Sequence, residues 1–152
     1  MPPEPTHEHF MRLALNQARI ALAHGDVPVG AIVVKEGIVI GRGCNRREEK
    51  QNPVSHAEIL ALQDAAECLG TWRLENCTLY CTLEPCIMCA GAIVQARIQH
   101  LYYGAEDPKA GGVESLYTLL EDKRLNHQVW VHPGFLPIPC RELLNIFLKR
   151  LR

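Results

Sequence analysis

The segment Cys77-Thr78-Leu79-Tyr80-Cys81-Thr82-Leu83-Glu84-Pro85-Cys86-Ile87-Met88-Cys89 decides the fold class of this chain. Residues 77–82 have the apolar, β-branched and aromatic side chains that are typical of a strand. Pro85 is then expected to begin a helix that extends through Val94, because proline is tolerated in the first turn of a helix. A strand that leads directly into a helix favours a layered α/β protein.

Three elements are predicted on the N-terminal side of this segment. They are a helix over 7–24 capped by Thr6, a β-hairpin with strands at 29–34 and 38–40, and a second amphipathic helix over 55–69. Gly25 and Gly70 are expected to end the two helices. Gly41 and Gly43 are expected to open a loop that leads through Asn45 to the second helix.

Four elements are predicted on the C-terminal side. They are strands at 100–103 and 129–131, a short helix around 115–120 between them, and a closing helix over 140–151. Since residues 104–128 can hold a crossover helix, the last two strands can be parallel. The complete order predicts an α/β fold, a three-layer α/β/α sandwich with a mixed five-stranded sheet. We expect one domain over 1–152, because a typical domain has about 150 residues.

Composition limits the classes of function. With 47% hydrophobic and 22% charged residues, the chain is expected to be globular rather than disordered or fibrous. It has no apolar run long enough for a membrane span and no secretory signal at 1–8, so we expect no membrane partner and a cytoplasmic location. The net charge of −1 means that any nucleic acid must be held by local basic patches. Seven cysteines in a reducing compartment indicate metal binding or thiol chemistry rather than disulfides.

His56, Cys86 and Cys89 have the side chains of a zinc site. Cysteines three residues apart lie on one helical face, and a helix N-terminus favours the thiolate that binds metal. Three protein ligands leave the fourth tetrahedral position for water, which is typical of a catalytic site. Glu58, two residues after His56, is expected to face this water and carry protons. Each half of the pattern is weak evidence in a chain with seven cysteines and seven histidines, so the prediction rests on their combination.

Simpler interpretations apply to some of these residues. Ser55-His56-Ala57-Glu58 is also a capping box, in which Ser55 is the N-cap and Glu58 bonds back to its amide. The five remaining cysteines are expected to be buried apolar residues: Cys44, Cys68, Cys77, Cys81 and Cys140. The six remaining histidines are expected at the surface or as satisfied core residues: His7, His9, His24, His100, His127 and His132. Of Tyr102 and Tyr103, at least one ring is expected in the core.

The predicted site suits hydrolytic deamination. Zinc brings the pKa of bound water to about 7, and a carboxylate can move its proton to a ring nitrogen and then to leaving ammonia. The combined pattern H-x-E…P-C-x-x-C is also the known signature of zinc-dependent nucleobase deaminases, which this chain therefore resembles.

From about His9 to Leu151 the chain resembles the bacterial tRNA-specific adenosine deaminase family of the cytidine deaminase-like superfamily. The matching stretches are Val27-Pro28-Val29-Gly30-Ala31, Asn45-Arg46, His56-Ala57-Glu58, Thr82 to Ala92, Tyr103 to Gly111, and Leu125-Asn126-His127. The resemblance implies hydrolysis of the wobble adenosine of a tRNA anticodon to inosine by a homodimer with one Zn²⁺ per subunit. It also implies that the anticodon stem-loop is bound with its bases splayed open. The positions where the family binds the nucleotide or lines its pocket are Asn45, Val29, Leu83 and Asp107.

Two groups of basic residues could contact RNA phosphates. The first group, beside the expected pocket, is Arg42, Arg46 and Arg47, and the second, at the end of the last helix, is Lys149, Arg150 and Arg152. The chain departs from the family pattern at Ser55, at Glu106, where an arginine is common, and at Pro137 and Pro139, which are expected to interrupt the entry to the last helix. These departures bear on RNA binding more than on zinc chemistry.

Two other functions remain open at this point. A guanine or cytosine deaminase for free nucleobases would use the same His56, Glu58, Cys86 and Cys89 in a pocket closed to polynucleotide. A non-catalytic, zinc-stabilised binding protein would use Glu58 only to cap its helix.

Overall fold

The computed structural model describes residues 5–151. Its helices are α1 (His7–Ala23), α2 (Arg47–Lys50), α3 (Ala57–Leu69), α4 (Ile87–Gln95) and α5 (Pro137–Arg150). Its strands are β1 (Gly30–Lys35), β2 (Ile38–Cys44), β3 (Cys77–Leu83), β4 (His100–Ala105) and β5 (Trp130–His132). Within this range no helix is long and apolar enough to cross a membrane.

The five strands form one mixed sheet in the order β2-β1-β3-β4-β5. Strand β1 is antiparallel to both β2 and β3, whereas β3, β4 and β5 are parallel to one another. Helix α4 follows β3 and leads into β4, so β3, α4 and β4 form a parallel crossover unit. The predicted five-stranded mixed sheet and its parallel last pair are confirmed.

Helices cover both faces of the sheet. Alternate residues of β3 point to opposite sides, so Leu79 and Cys81 pack in the core with α3 and α4. Tyr80 packs in a second core that includes residues of α1 and α5. The predicted three-layer α/β/α sandwich is therefore confirmed.

Gly41 and Gly43 belong to β2, so the prediction that they open a loop was wrong. A Cβ atom on Gly41 would lie 2.4 Å from the carbonyl oxygen of Ala61, and one on Gly43 would lie 2.3 Å from that of Ala57. These glycines allow the backbone of α3 to lie directly on the strand. Their role is close helix packing rather than a turn.

The helix boundaries differ from prediction in four places. Helix α4 begins at Ile87 with Cys86 as its N-cap, so Pro85 precedes the helix rather than beginning it. Pro137 is the first residue of α5 and Pro139 its third, so these prolines begin the helix where an interruption was expected. The helix around 115–120 is only a 3-10 turn at Leu119–Glu121. Helix α2 lies in the stretch that was predicted to be irregular.

Most of the structural cysteines and tyrosines lie where expected. Four cysteines are buried: Cys44, Cys77, Cys81 and Cys140. Cys68 is exposed, contrary to prediction, because it lies on the outer side of α3 near its C-terminal end. Tyr103 is fully buried, as expected for one of the two adjacent tyrosines.

Replacing Gly43 by alanine is expected to destabilise the fold by about 1–3 kcal/mol, because the added methyl group overlaps the backbone of α3. The control is Gly91→Ala in α4, where an added Cβ meets no atom within 4 Å. There we expect a gain of about 0.5–1 kcal/mol from the helix preference of alanine. Urea unfolding measures both changes, and equal stability of the two variants would contradict the packing role of Gly43.

Candidate active site

The N-termini of two helices meet at one place. His56 is the N-cap residue of α3 and Cys86 is the N-cap residue of α4, with Cys89 in the first turn of α4. No side-chain cap bond forms at the start of α3, so the alternative interpretation of residues 55–58 as a capping box does not hold. Both helix termini direct partial positive charge toward the cysteines, which favours the thiolate form.

The three predicted metal ligands lie at ligand spacing. His56 Nδ1 lies 3.6 Å from the Sγ atom of Cys86 and 3.6 Å from that of Cys89. All three ligand atoms lie within 4.8 Å of one another. A tetrahedral zinc ion with a nitrogen ligand at about 2.0 Å and a sulfur ligand at about 2.3 Å would hold these nitrogen and sulfur atoms about 3.5 Å apart. The donor set therefore fits a metal ion with one coordination position free of protein.

The two cysteines titrate as a pair. The thiol of Cys89 donates a hydrogen bond that, with His56, lowers the pKa of Cys86 to about 4. The same hydrogen bond and burial raise the pKa of Cys89. In the protein alone, the Cys86 thiolate thus accepts a hydrogen bond from the Cys89 thiol, and a metal cation can replace the proton of that thiol.

Glu58 is a buried carboxyl group in the first turn of α3. Glu58 is only 4% exposed to solvent. Burial raises the pKa of Glu58, because the charged form loses its hydration. A buried carboxyl group whose pKa is raised in this way holds a proton more readily than an exposed one, which suits a group that must both accept and release a proton.

His56, Glu58 and Cys86 open on one cavity of about 190 Å³. The other lining residues are Val27, Val29, Asn45, Arg47, Ala57, Leu83, Glu84, Asp107 and Ala110. Drug-sized ligands occupy pockets of about 300–1,000 Å³, so this cavity suits a smaller group such as a single base.

The predicted substrate residues divide into two groups. Val29, Asn45, Leu83 and Asp107 all line the cavity. Arg46 is absent from the lining, because its guanidinium group pairs with Glu49 and turns along α2. Arg47 lines the cavity in its place. The contacts of all these residues with substrate stay predictions.

Glu84 is a site residue that sequence reasoning missed. It is 2% exposed and accepts hydrogen bonds from the amides of Asp107 (3.1 Å), Val113 (3.1 Å), Glu114 (2.8 Å) and Ser115 (2.9 Å). Burial alone would raise the pKa of Glu84, but the hydrogen bonds from the Ser115 hydroxyl and these amides outweigh it and lower the pKa. Glu84 therefore connects the turn before Cys86 to the loop that carries Asp107. The sequence offered one signal for this role, an acidic residue placed between a buried strand and the turn that carries a metal ligand.

The more distant basic residues lie outside the cavity lining. Arg42 is exposed on β2, and Lys149 and Arg150 are exposed at the end of α5. Arg152 lies outside the described residues. At Glu106, the departure from the family pattern, the backbone carbonyl accepts a hydrogen bond from Arg141.

Comparison with known proteins agrees with this geometry. A family model described as MafB19-like deaminase matches residues 5–152. The chain belongs to the MafB19-like deaminase family. A tRNA-specific adenosine deaminase of Streptococcus pyogenes serotype M1 is 46% identical to this deaminase over 144 residues, 95% of this chain and 84% of that protein.

Two solved structures have the same fold as this deaminase. One comes from a study of A-to-I editing by tRNA:A34 deaminases at the wobble position of transfer RNA. It is 46% identical with a TM-score of 0.86, and the match covers 89% of this chain and 98% of that chain. The other is a guanine deaminase from Nitrosomonas europaea, 26% identical with a TM-score of 0.82, and the match covers 95% of this chain and 85% of that chain.

Replacing Cys86 or Cys89 by serine is expected to remove metal from the deaminase and to lower its melting temperature, because metal-binding energy contributes to folding. Elemental analysis of the purified protein should find bound metal reduced to trace levels. Cys68→Ser is the matched control, since Cys68 is exposed and lies outside the ligand group. Full metal content in either ligand variant would contradict the assignment.

Proposed function

We propose that this chain is a zinc-dependent deaminase that hydrolyses adenosine to inosine at the wobble position of a tRNA anticodon. The observation that carries the proposal is that His56, Cys86 and Glu58 open on one cavity. This arrangement occurs in a chain that is 46% identical to a tRNA-specific adenosine deaminase. In this proposal, residues 1–152 form one deaminase domain. The enzyme works in the cytoplasm, where its tRNA substrate is found.

His56, Cys86 and Cys89 would hold one zinc ion per subunit. When bound, zinc supplies a water whose pKa is lowered to about 7. Glu58 would accept a proton from the attacking water and deliver it to ring nitrogen N1 of the adenine base as the water oxygen adds to C6. The bond from C6 to the amino nitrogen would break only once that nitrogen has received the second proton. Glu58 carries the second proton to that nitrogen, and the products are inosine and ammonia.

The remaining lining residues select and orient the nucleotide in this proposal. Val29 and Leu83 provide apolar contact for the base, and Asn45 provides amide hydrogen-bonding groups. Asp107 lies on the loop held by Glu84, where it can contact a flanking nucleotide. Arg47 is better placed than Arg46 to contact an RNA phosphate, because Arg47 lines the cavity and Arg46 is paired with Glu49.

The test compares an arginine tRNA anticodon stem-loop that carries a wobble adenosine with free adenine, guanine and cytosine. We expect inosine in the RNA, measured by mass spectrometry, and no ammonia from the free bases. Glu58→Gln should retain zinc and lose about 10²–10⁴-fold in turnover, because it removes the proton shuttle. Glu67→Gln is the matched control, since Glu67 is exposed on the same helix.

Each alternative function gives a different result in this experiment. Ammonia from guanine or cytosine alone would transfer the same chemistry to a free-base deaminase, an activity named for the neighbour from Nitrosomonas europaea. Silence on all substrates, with zinc retained and unaffected by Glu58→Gln, would favour a zinc-stabilised binding protein.

We also propose that the enzyme is a homodimer, as the family resemblance implies. An open groove between α3 and α4 supports a second copy as its occupant, because its lining is mainly apolar. It is lined by Ile59, Leu62, Gln63, Ala66, Trp72, Leu74, Ala92, Gln95 and Ala96. Trp72 is 56% exposed at its edge, and burial of such a ring is a strong driving force for association.

Ala92→Arg is expected to convert the dimer to a monomer, because it introduces a charge into the lining of this groove. Sedimentation velocity measures the change at a fixed protein concentration. Ile20→Arg is the control, since Ile20 is 45% exposed on α1, which covers the opposite face of the sheet. A dimer that persists in Ala92→Arg would place the interface elsewhere.

A further inference from the structure

Asp26 is a fully buried carboxylate between α1 and β1. Its own amide donates to the carbonyl of Ala21 at the end of α1, at 3.0 Å. Its two carboxylate oxygens accept hydrogen bonds from the amides of Glu48 (2.7 Å) and Glu49 (3.2 Å), in the first turn of α2. Asp26 therefore joins the end of α1 to the start of α2.

Helix α2 depends on this contact. It has four residues, and none of them is buried. Its N-cap residue, Arg46, makes no side-chain cap bond. Helices this short are unstable alone, because each end leaves backbone groups without partners. The carboxylate of Asp26 provides the cap that the local sequence of α2 lacks.

The start of α2 forms one wall of the cavity. The amide of Arg47, the first residue of α2, donates to the side-chain oxygen of Asn45 at 3.1 Å. The side-chain nitrogen of Asn45 donates to the carbonyl of Val27, which directly follows Asp26, at 3.2 Å. Val27, Asn45 and Arg47 all line the cavity. The position and orientation of the Asn45 amide thus depend on the two segments that Asp26 joins.

The side chains around Asp26 strengthen the same connection. His24 Nε2 lies 3.8 Å from a carboxylate oxygen of Asp26, and His24 Nδ1 bonds to the side chain of Glu49. Glu49 in turn pairs with Arg46. These contacts form a connected polar group behind the cavity wall, and none of them includes a metal ligand or Glu58.

We infer that Asp26 is a positioning residue for substrate binding, which holds Asn45 and Arg47 at the cavity through its bonds to α2. The inference rests on the proposed function, because the substrate measured is the wobble-adenosine RNA. Asp26 touches neither the cavity nor the metal ligands, so its loss should weaken binding of the RNA and leave the chemical step unchanged.

The test measures KM and kcat of Asp26→Asn for the anticodon stem-loop with the zinc-loaded protein. The asparagine keeps one acceptor oxygen, but its amino group faces a second backbone donor, so one cap bond is lost. We expect KM to rise about fivefold or more, the effect of losing a helix cap, with kcat and zinc content unchanged. Asp122→Asn is the matched control, because Asp122 also accepts a backbone hydrogen bond, from Arg124 at 2.9 Å, away from the cavity lining. Its KM should stay at the wild-type value.

A double-mutant cycle separates positioning from general damage. If Asp26 acts through Asn45, then Asp26→Asn should raise KM much less in an Asn45→Ala background than in the wild type. An unchanged KM in Asp26→Asn would overturn the inference. A loss of kcat and zinc content as large as the rise in KM would also overturn it. Should Asp26→Asn fail to fold, Asp26→Ser decides by the same criterion, since serine also caps helices. A wild-type protein that forms no inosine in the RNA would instead refute the proposed function.

Discussion

The site depends on one geometric constraint, the meeting of two helix N-termini at ligand distance. His56 at the start of α3 and Cys86 at the start of α4 come from different parts of the chain, yet His56 Nδ1 and the Cys86 Sγ atom lie 3.6 Å apart. That distance requires both helices to pack on the same face of the sheet. Gly41 and Gly43 meet this requirement for α3, because any larger residue would push the helix away from β2.

Three buried carboxylates surround the cavity, and their environments give them different roles. Asp26 and Glu84 accept backbone hydrogen bonds, which compensate the loss of hydration and fix α2 and the loop of Asp107. Burial dominates at Glu58 and raises its pKa. The two hydrogen-bonded carboxylates therefore hold the walls, and the third is the one to which the proposed function assigns proton transfer.

The metal ligands and the cavity walls contribute separately to the activity. The ligand set and Glu58 suit hydrolytic deamination of several bases, and a guanine deaminase shares the fold at 26% identity. In the proposed function, substrate choice therefore depends on wall residues such as Asn45 and Asp107, which are held by buried groups outside the metal motif. A fold by itself does not fix the substrate. For the choice of substrate, the 46% identity to a tRNA-specific adenosine deaminase is therefore stronger evidence than the shared fold of a guanine deaminase at 26% identity.

Most of the secondary-structure elements and the types of metal-binding residue could be predicted from the sequence. Periodicity placed the long helices and the five strands, and the combination of His56, Glu58, Cys86 and Cys89 indicated a catalytic metal site. These features are local, so residue type and spacing are sufficient to reveal them. By contrast, the folded structure was needed to show that Gly43 lies under a helix, that Arg47 rather than Arg46 lines the cavity, and that Asp26 and Glu84 hold its walls. Those features depend on contacts between segments distant in sequence, which no local pattern records.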